Sequence, residues 1–305
     1  MRYNALIIDA MNCAHRAAAV MNSSLSTEVD GIEMPIGMQY GVIKMSCILY
    51  DKWAAPGAPF IVAHEGNRGE IDHRRSVYEL YKAHRGHPDT TFSAQFRHLT
   101  EILKDLGWIQ AVSEGWEADD VAATVAKRLS DDGMTVGIVT GDHDLHQCVT
   151  DRVHVIDHRN PDPWDPERVR EKWLTEPEKI PYVKAIAGDK SDGYPGIAGF
   201  GPKIGTKIVN YYGIDFLDKI LSKNGPQTHL RPKPPITQNQ YNRIKDMRDH
   251  IERFIYIAQT RDDIDLKFLE RRYDPDQVLR MFGELRFVSL LAPSYQRILA
   301  KMAGG

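Results

Sequence analysis

The chain has 305 residues, 42% hydrophobic and 27% charged, a balance that fits an ordinary globular protein with enough apolar material for a full core. Its three cysteines, Cys13, Cys47 and Cys148, show no C-x-x-C spacing, which argues against a disulfide scaffold or a thiolate zinc site and points to a reducing compartment. The formal net charge of −3 excludes a uniformly basic nucleic-acid binder but leaves room for a polyanionic partner if the acids are concentrated in one place. No signal peptide or run of about 18 apolar residues follows Met1, so neither secretion nor membrane spanning is expected.

In chain order, Ala5-Leu6-Ile7-Ile8-Asp9 is a short apolar run ending in an acid, the pattern of a buried strand. Residues 38–53 have helical spacing, and residues 58–63 form a second strand. Residues 93–106 read as a helix with Phe96, Leu99, Ile102, Leu103 and Leu106 on one face, followed by a third strand at 108–112. A helix over 117–130 leads to strands at 135–139 and 153–156. Near-continuous apolar strands separated by helices predict a parallel sheet covered on both faces, with ligands gathering beyond the carboxyl ends of the strands. After about residue 160 the pattern turns helical, with helices expected at 166–174, 179–188, 203–212, 238–259 and 276–290, and a loop from Asn224 to Pro235.

Four acidic groups fall at informative places. Asp9 ends the first strand. Glu117-Ala118-Asp119-Asp120 opens a helix after the third. Asp142 and Asp144 follow the fourth, and Asp189 and Asp192 follow a helix beyond the sheet. Any one of these alone reads as a helix cap or a turn. Together, carboxylates at neighbouring strand ends repel unless they are protonated or bridged by cations, and hard divalent ions with oxygen ligands relieve that repulsion. Two such ions roughly 4 Å apart suit phosphodiester hydrolysis. With eight acids given to metal binding, the remaining residues carry a net positive charge.

These segments resemble the 5′-nuclease family, which includes phage 5′-exonucleases, flap endonucleases and the 5′-nuclease domain of bacterial DNA polymerase I. Glu117-Ala118-Asp119-Asp120-Val121 matches the family's E-A-D-D-V. Thr140-Gly141-Asp142-His143-Asp144 matches T-G-D-x-D, Gly188-Asp189-Lys190-Ser191-Asp192 matches G-D-x-x-D, and Tyr81-Lys82-Ala83-His84-Arg85 matches Y-K-x-x-R. The resemblance implies an α/β fold: a central parallel-type sheet flanked by helices, a PIN-like core, a helical arch and a C-terminal helix–hairpin–helix region. Residues 1–160 are then the metal-binding core, with the arch at about 66–95. Residues 161–305 are the helical DNA-binding region, with the hairpin at about 184–212.

By the same resemblance, Asp9, Glu117, Asp119 and Asp120 form one metal cluster, and Asp142, Asp144, Asp189 and Asp192 the other. Glu65 stands nearest to an aspartate that the family usually carries after strand two. Asp9 and Asp120 are also expected to be catalytic, together with Lys82 and Arg85, the family's basic arch residues at the scissile phosphate. Tyr81 and Arg74 are expected to contact DNA. Gly199, Gly201, Lys203 and Lys207 belong to a hairpin that grips duplex phosphates, where relatives place potassium.

The function implied is a 5′-3′ exonuclease and flap endonuclease that uses magnesium or manganese, leaves a 5′-phosphate, and acts on branched or 5′-ended DNA. It would be a monomer in the cytoplasm of a bacterium or phage-infected cell, working in replication and repair. RNA primers in RNA–DNA hybrids are the alternative substrate, and a non-catalytic junction-binding protein is the alternative class. A phosphatase built on Asp9 is disfavoured because Met11 occupies the position of the second acid.

Overall fold

A computed structural model describes residues 2–21, 25–29, 32–66, 72–86, 90–157, 159–160, 162–222 and 235–304. The first strand, β1 (Ala5–Asp9), sends Leu6 and Ile8 into one core and Ala5 and Ile7 into another. A side-chain period of two allows this only in a strand covered on both faces. The next helix, α1 (Ala10–Met21), is absent from the sequence expectation. Its buried stripe is Ala10, Cys13, Ala14 and Ala17, a helical spacing made of small residues that hydrophobic periodicity registers weakly.

The antiparallel pair β2 (Ser26–Val29) and β3 (Ile32–Pro35) leads to α2 (Gly37–Trp53). Then come β4 (Phe60–Glu65), α3 (His73–Val77), α4 (Thr90–Asp105), β5 (Ile109–Ser113), α5 (Ala118–Asp131), β6 (Val136–Val139), a 3-10 turn at Asp144–Cys148, and β7 (Val153–Ile156). β4 starts two residues later than expected, after Pro59, whose ring nitrogen has no hydrogen to donate to a ladder. The shift carries Glu65 onto the sheet, two positions beyond Ala63, the neighbour of Asp9.

A two-residue strand, β8 (Lys267–Phe268), pairs antiparallel with β5 at one edge, and the sheet order is β7-β6-β1-β4-β5-β8. The remaining pairs are parallel, so the fold is the expected one: a central, mostly parallel sheet flanked by helices. Gly137 in β6 permits the close packing of one face, since a Cβ there would lie 2.7 Å from Ile156 Cδ1 and 2.8 Å from Leu6 Cδ2.

The helical region comprises α6 (Pro166–Trp173), α7 (Ile180–Ala187), α8 (Pro202–Tyr212), α9 (Phe216–Leu221), α10 (Gln238–Asp246) and α11 (Arg248–Ala258). It has its own core, built on Val183, Ile186, Phe200, Val209, Ile244 and Ile251. The single helix expected over 238–259 is two helices that meet at Met247. α12 (Pro275–Glu284) stops short of the expected residue 290. Arg286 takes φ 56°, the Phe287 N–H donates to the Phe282 carbonyl at 2.8 Å, and the two rings pack 5.8 Å apart. That is a left-handed helix stop closed by an apolar contact.

Phe282, Phe287 and Leu290, with Leu299 and Met302 of α13 (Pro293–Ala303), join the same core as Leu6 and Ile8. Packing therefore departs from the division expected at residue 160: the chain leaves the sheet, builds the helical region, and returns. The arch expected at about 66–95 lies partly outside the described residues, as does the loop from Asn224. Among the described residues, no helix is long and apolar enough to cross a membrane.

Candidate metal centre

Parallel pairing brings the carboxyl ends of β1, β4 and β6 to one edge of the sheet. Asp9 closes β1, buried, and its Oδ1 accepts from the Asn12 N–H at 3.0 Å while Oδ2 accepts from Thr140 Oγ1 at 3.0 Å. Glu65 ends β4 close enough for its charge to act on Asp9. Beyond β6, Asp142 Oδ1 accepts from the Asp144 N–H at 2.9 Å, which turns the two acids into the 3-10 turn. Glu117 is the N-cap of α5 and Asp119 lies in that helix's first turn.

The second group comes from beyond the sheet. Gly188, at φ 81°, ends α7, and Asp189 Oδ1 then accepts from Ser191 N–H at 2.7 Å and Oγ at 2.5 Å, folding the loop back toward the sheet. Carboxylate oxygens of Asp144, Asp189 and Asp192 all lie within 4.8 Å of one another. Glu117, Asp119, Asp142, Asp144 and Asp192 line one cavity of about 60 Å³, with Lys82 and Arg85 at its wall. Lys82 sits at φ 51°, unusual for a side chain of this size, and its Nζ donates to Glu117 at 2.8 and 2.9 Å. Its backbone N–H donates to the Asp192 carbonyl at 2.9 Å, so Lys82 is tied to both acid groups. Arg85 is exposed, and its Nη2 donates to the Ser191 carbonyl at 2.9 Å.

The electrostatics fit a hard divalent cation. Burial pushes the Asp9 carboxyl up to about 6, with Asp142 and Glu65 adding to the rise. Burial, then Asp142 and Asp9, drives Asp119 well above the usual carboxylate range. Burial also takes Asp144 up to about 6 in spite of Lys184, and it raises Asp192. Burial would raise Asp189 too, but Lys184 and Ser191 outweigh it and hold Asp189 at about 2. An all-oxygen donor set, desolvated and self-repelling, is what magnesium or manganese stabilises in ionised form.

Three expected site residues sit in buried pairings: Asp120 lies outside the cavity lining, while Arg74 and Tyr81 line the cavity beside Lys82 and Arg85. Asp120 is fully buried. Its Oδ1 accepts from Arg74 Nη2 at 2.7 Å and the Arg261 N–H at 2.8 Å; its Oδ2 accepts from Arg74 Nη1 at 2.5 Å and the Glu117 N–H at 3.2 Å. Four donors fill the acceptor capacity of one carboxylate, so Asp120 braces α5 and does not face the cavity as a ligand or catalytic group. Arg74, expected on DNA, is buried in that pair, and it also donates to the carbonyls of Ile257 at 3.0 Å and Gln259 at 3.1 Å. Tyr81, expected to stack on a base, is enclosed with Tyr194, Phe254 and Ile257, and its hydroxyl donates to Glu117 at 3.0 Å.

Sequence reasoning also missed Lys184. This buried lysine donates to Asp144 Oδ1 at 2.5 Å and pairs with Asp189 Oδ2 at 2.7 Å. A single lysine in the apolar run Ile180-Pro181-Tyr182-Val183-Lys184-Ala185-Ile186, five residues before Asp189, was the available signal.

The expected hairpin residues span the turn between α7 and α8 and the first turns of α8. Gly199 has φ 81°, Gly201 is the N-cap of α8, and Lys203 and Lys207 are exposed on that helix. Arg243, which the sequence did not flag, donates to the Ala198 carbonyl at 2.6 Å and braces the turn. Gly196 is at φ 65°, and a Cβ there would lie 2.2 Å from the Gly188 nitrogen. Gly196→Ala is therefore expected to destabilise the protein by about 2 kcal/mol or more, combining left-handed strain with overlap. Thermal unfolding followed by circular dichroism checks this, and an unchanged Tm would show that the turn can relax.

A family model described as the 5′-3′ exonuclease N-terminal resolvase-like domain matches residues 4–174. The 5′-3′ exonuclease of Aquifex aeolicus is 33% identical over 223 residues, covering 72% of this chain and 72% of that protein. The thermostable DNA polymerase I of Thermus filiformis is 30% identical over 294 residues, covering 94% of this chain; the chain spans only 32% of that protein's length. A bacteriophage T5 flap endonuclease, in a pseudo-enzyme-product complex with DNA and metal ions, superimposes with a TM-score of 0.61 over 97% of this chain and 98% of its own. At 18% identity, that likeness speaks to the fold.

Proposed function

The chain belongs to the 5′-3′ exonuclease family, a family of hydrolytic nucleases, and from that membership we propose that it is a divalent-metal-dependent 5′-nuclease cutting DNA near single-strand/duplex junctions. The observation that carries the reading is the convergence of Asp144 from the sheet edge with Asp189 and Asp192 from beyond α7, their oxygens within 4.8 Å of one another beside Lys82 and Arg85. In the proposal, Asp9, Glu117 and Asp119 hold one ion, with Glu65 supporting Asp9, and Asp144, Asp189 and Asp192 hold the second; Asp142, expected in the second group, is reassigned to the first because its charge acts on both Asp9 and Asp119. When bound, magnesium or manganese supplies Lewis-acid polarisation of the phosphoryl oxygens and neutralises developing charge.

The chain's own groups do the rest. Lys82 and Arg85 bind the scissile phosphate and offset charge on its oxygens. Asp120 and Arg74 fix the helix that presents Glu117 and Asp119. Hydrolysis leaves a 5′-phosphate and a 3′-hydroxyl, with no covalent enzyme intermediate. Lys203 and Lys207, with the N-terminus of α8, hold a duplex phosphate without reading sequence, and a potassium ion at the hairpin would share that work.

The test is cleavage of an end-labelled 5′ flap in magnesium, with the cut mapped, alongside an RNA primer on a DNA template and a flap with a blocked 5′ end. Cuts at the DNA flap junction support the reading. Preference for the RNA primer would move the substrate to hybrids. Tight flap binding with no cleavage at any divalent-ion concentration would make the chain a junction-binding protein. For the duplex contacts, Lys203→Ala and Lys207→Ala are each expected to weaken binding regardless of sequence. Each should also reduce the slope of log affinity against log salt by about one. A slope unchanged in both variants would remove these lysines from the interface.

A further inference from the structure

The second carboxylate group already holds a positive charge of the protein's own. Lys184 reaches from α7 to Asp144 and Asp189 at 2.5 and 2.7 Å, two of the three acids whose oxygens converge. An ammonium on an apolar helix is costly to bury unless it is paired, so this arrangement suits a protein without a bound ion. A divalent cation would claim the same oxygens, and the two positive charges would repel at such distances. Lys184 has room to move: it also lines an adjoining cavity of about 430 Å³ whose wall includes Asp142, Asp144 and Asp189 as well as Asn12, Arg85 and Trp173, so the ammonium can shift toward Arg85 without leaving the acids' surroundings.

We propose that Lys184 is an internal counter-ion that exchanges with the divalent ion. In the ion-free protein it holds Asp144 and Asp189 in place. When an ion takes those oxygens, the ammonium turns into the adjoining cavity and, with Arg85, binds a phosphate of the nucleic-acid strand. Divalent ion and DNA then favour the same Lys184 position, so each strengthens the other's binding by the same factor. This rests on the reading of the acids as a divalent-ion site.

The experiment is calorimetric titration of Mn2+ into the DNA-free protein, wild type against Lys184→Met. Loss of the competing ammonium is expected to tighten Mn2+ binding by about tenfold or more; equal or weaker binding by the variant would overturn the exchange. If the wild type binds no Mn2+, the divalent-ion reading itself falls, a different failure. A second arm measures 5′-flap binding by fluorescence anisotropy in Ca2+ and in EDTA. The ion-dependent gain in DNA affinity is expected to shrink in the variant, and an undiminished gain would overturn the phosphate role. Because Lys184→Met leaves acids unpaired, Tm is recorded in parallel, with Lys184→Gln as the second variant. A deficit in EDTA that closes with Mn2+ supports the proposal, and an equal deficit in both conditions contradicts it.

Discussion

The double variant Asp142→Asn, Asp144→Asn is expected to lose at least about 10³-fold in single-turnover cleavage of a 5′ flap while keeping its fold. Removing one preorganised electrostatic contact at a reacting centre typically costs about 10²–10³ in rate, and groups acting as a unit do not add independently. Both acids line the small cavity beside Lys82 and Arg85, and burial pushes Asp144 up to about 6. Asparagine keeps an oxygen at each position, so the bond that Asp142 Oδ1 accepts from the Asp144 N–H at 2.9 Å can persist. Removing two mutually repelling charges offsets the weakened Lys184–Asp144 pair, and Asp189 keeps the ammonium paired at 2.7 Å, so Tm should stay close to the wild-type value. Cleavage near the wild-type rate by a folded double variant would sink the assignment of these acids to the metal site.

Arg74→Ala carries the largest expected effect on stability, a loss of about 3–5 kcal/mol, because it strands Asp120 as an unpaired buried charge. Arg74 is 6% exposed and Asp120 0%, so solvent screens the pair little. The substitution also removes the donors to the Ile257 and Gln259 carbonyls, unfastening α3 from the end of α11. Calorimetric unfolding of Arg74→Ala, Asp120→Ala and the double variant checks this by a double-mutant cycle. The double variant should lose less than the sum of the singles, since it no longer buries a lone charge. A loss below about 1 kcal/mol for Arg74→Ala would show that the pair does not brace the site.

The sheet and the acids at its edge were legible because each leaves a local trace. Apolar runs such as residues 5–8 mark buried strands, and an acid directly after such a run stands at the strand's end. α1 left little trace because its buried face is alanine and cysteine. The return of α12 and α13 to the sheet core was illegible for another reason: amphipathic spacing shows that a helix has a buried face, not what covers it.

The same limit applies within the site. Lys184 lies 40 residues from Asp144, and Arg74 lies 46 from Asp120. Spacing along the chain cannot show that such a pair meets. Arg74 and Tyr81 looked like DNA-facing groups because Tyr81 opens the Y-K-x-x-R motif and Arg74 lies shortly before it. Their burial follows from partners, Asp120 and Glu117, that only the folded chain brings to them.

The central claim, cleavage that depends on divalent ions held by these acids, is tested most directly by mapping the cut in an end-labelled 5′ flap while Mg2+ or Mn2+ is titrated into EDTA-treated protein. The expected result is no product in EDTA, and cleavage near the junction that rises with either ion and saturates. Junction cleavage that persists unchanged in EDTA would contradict it.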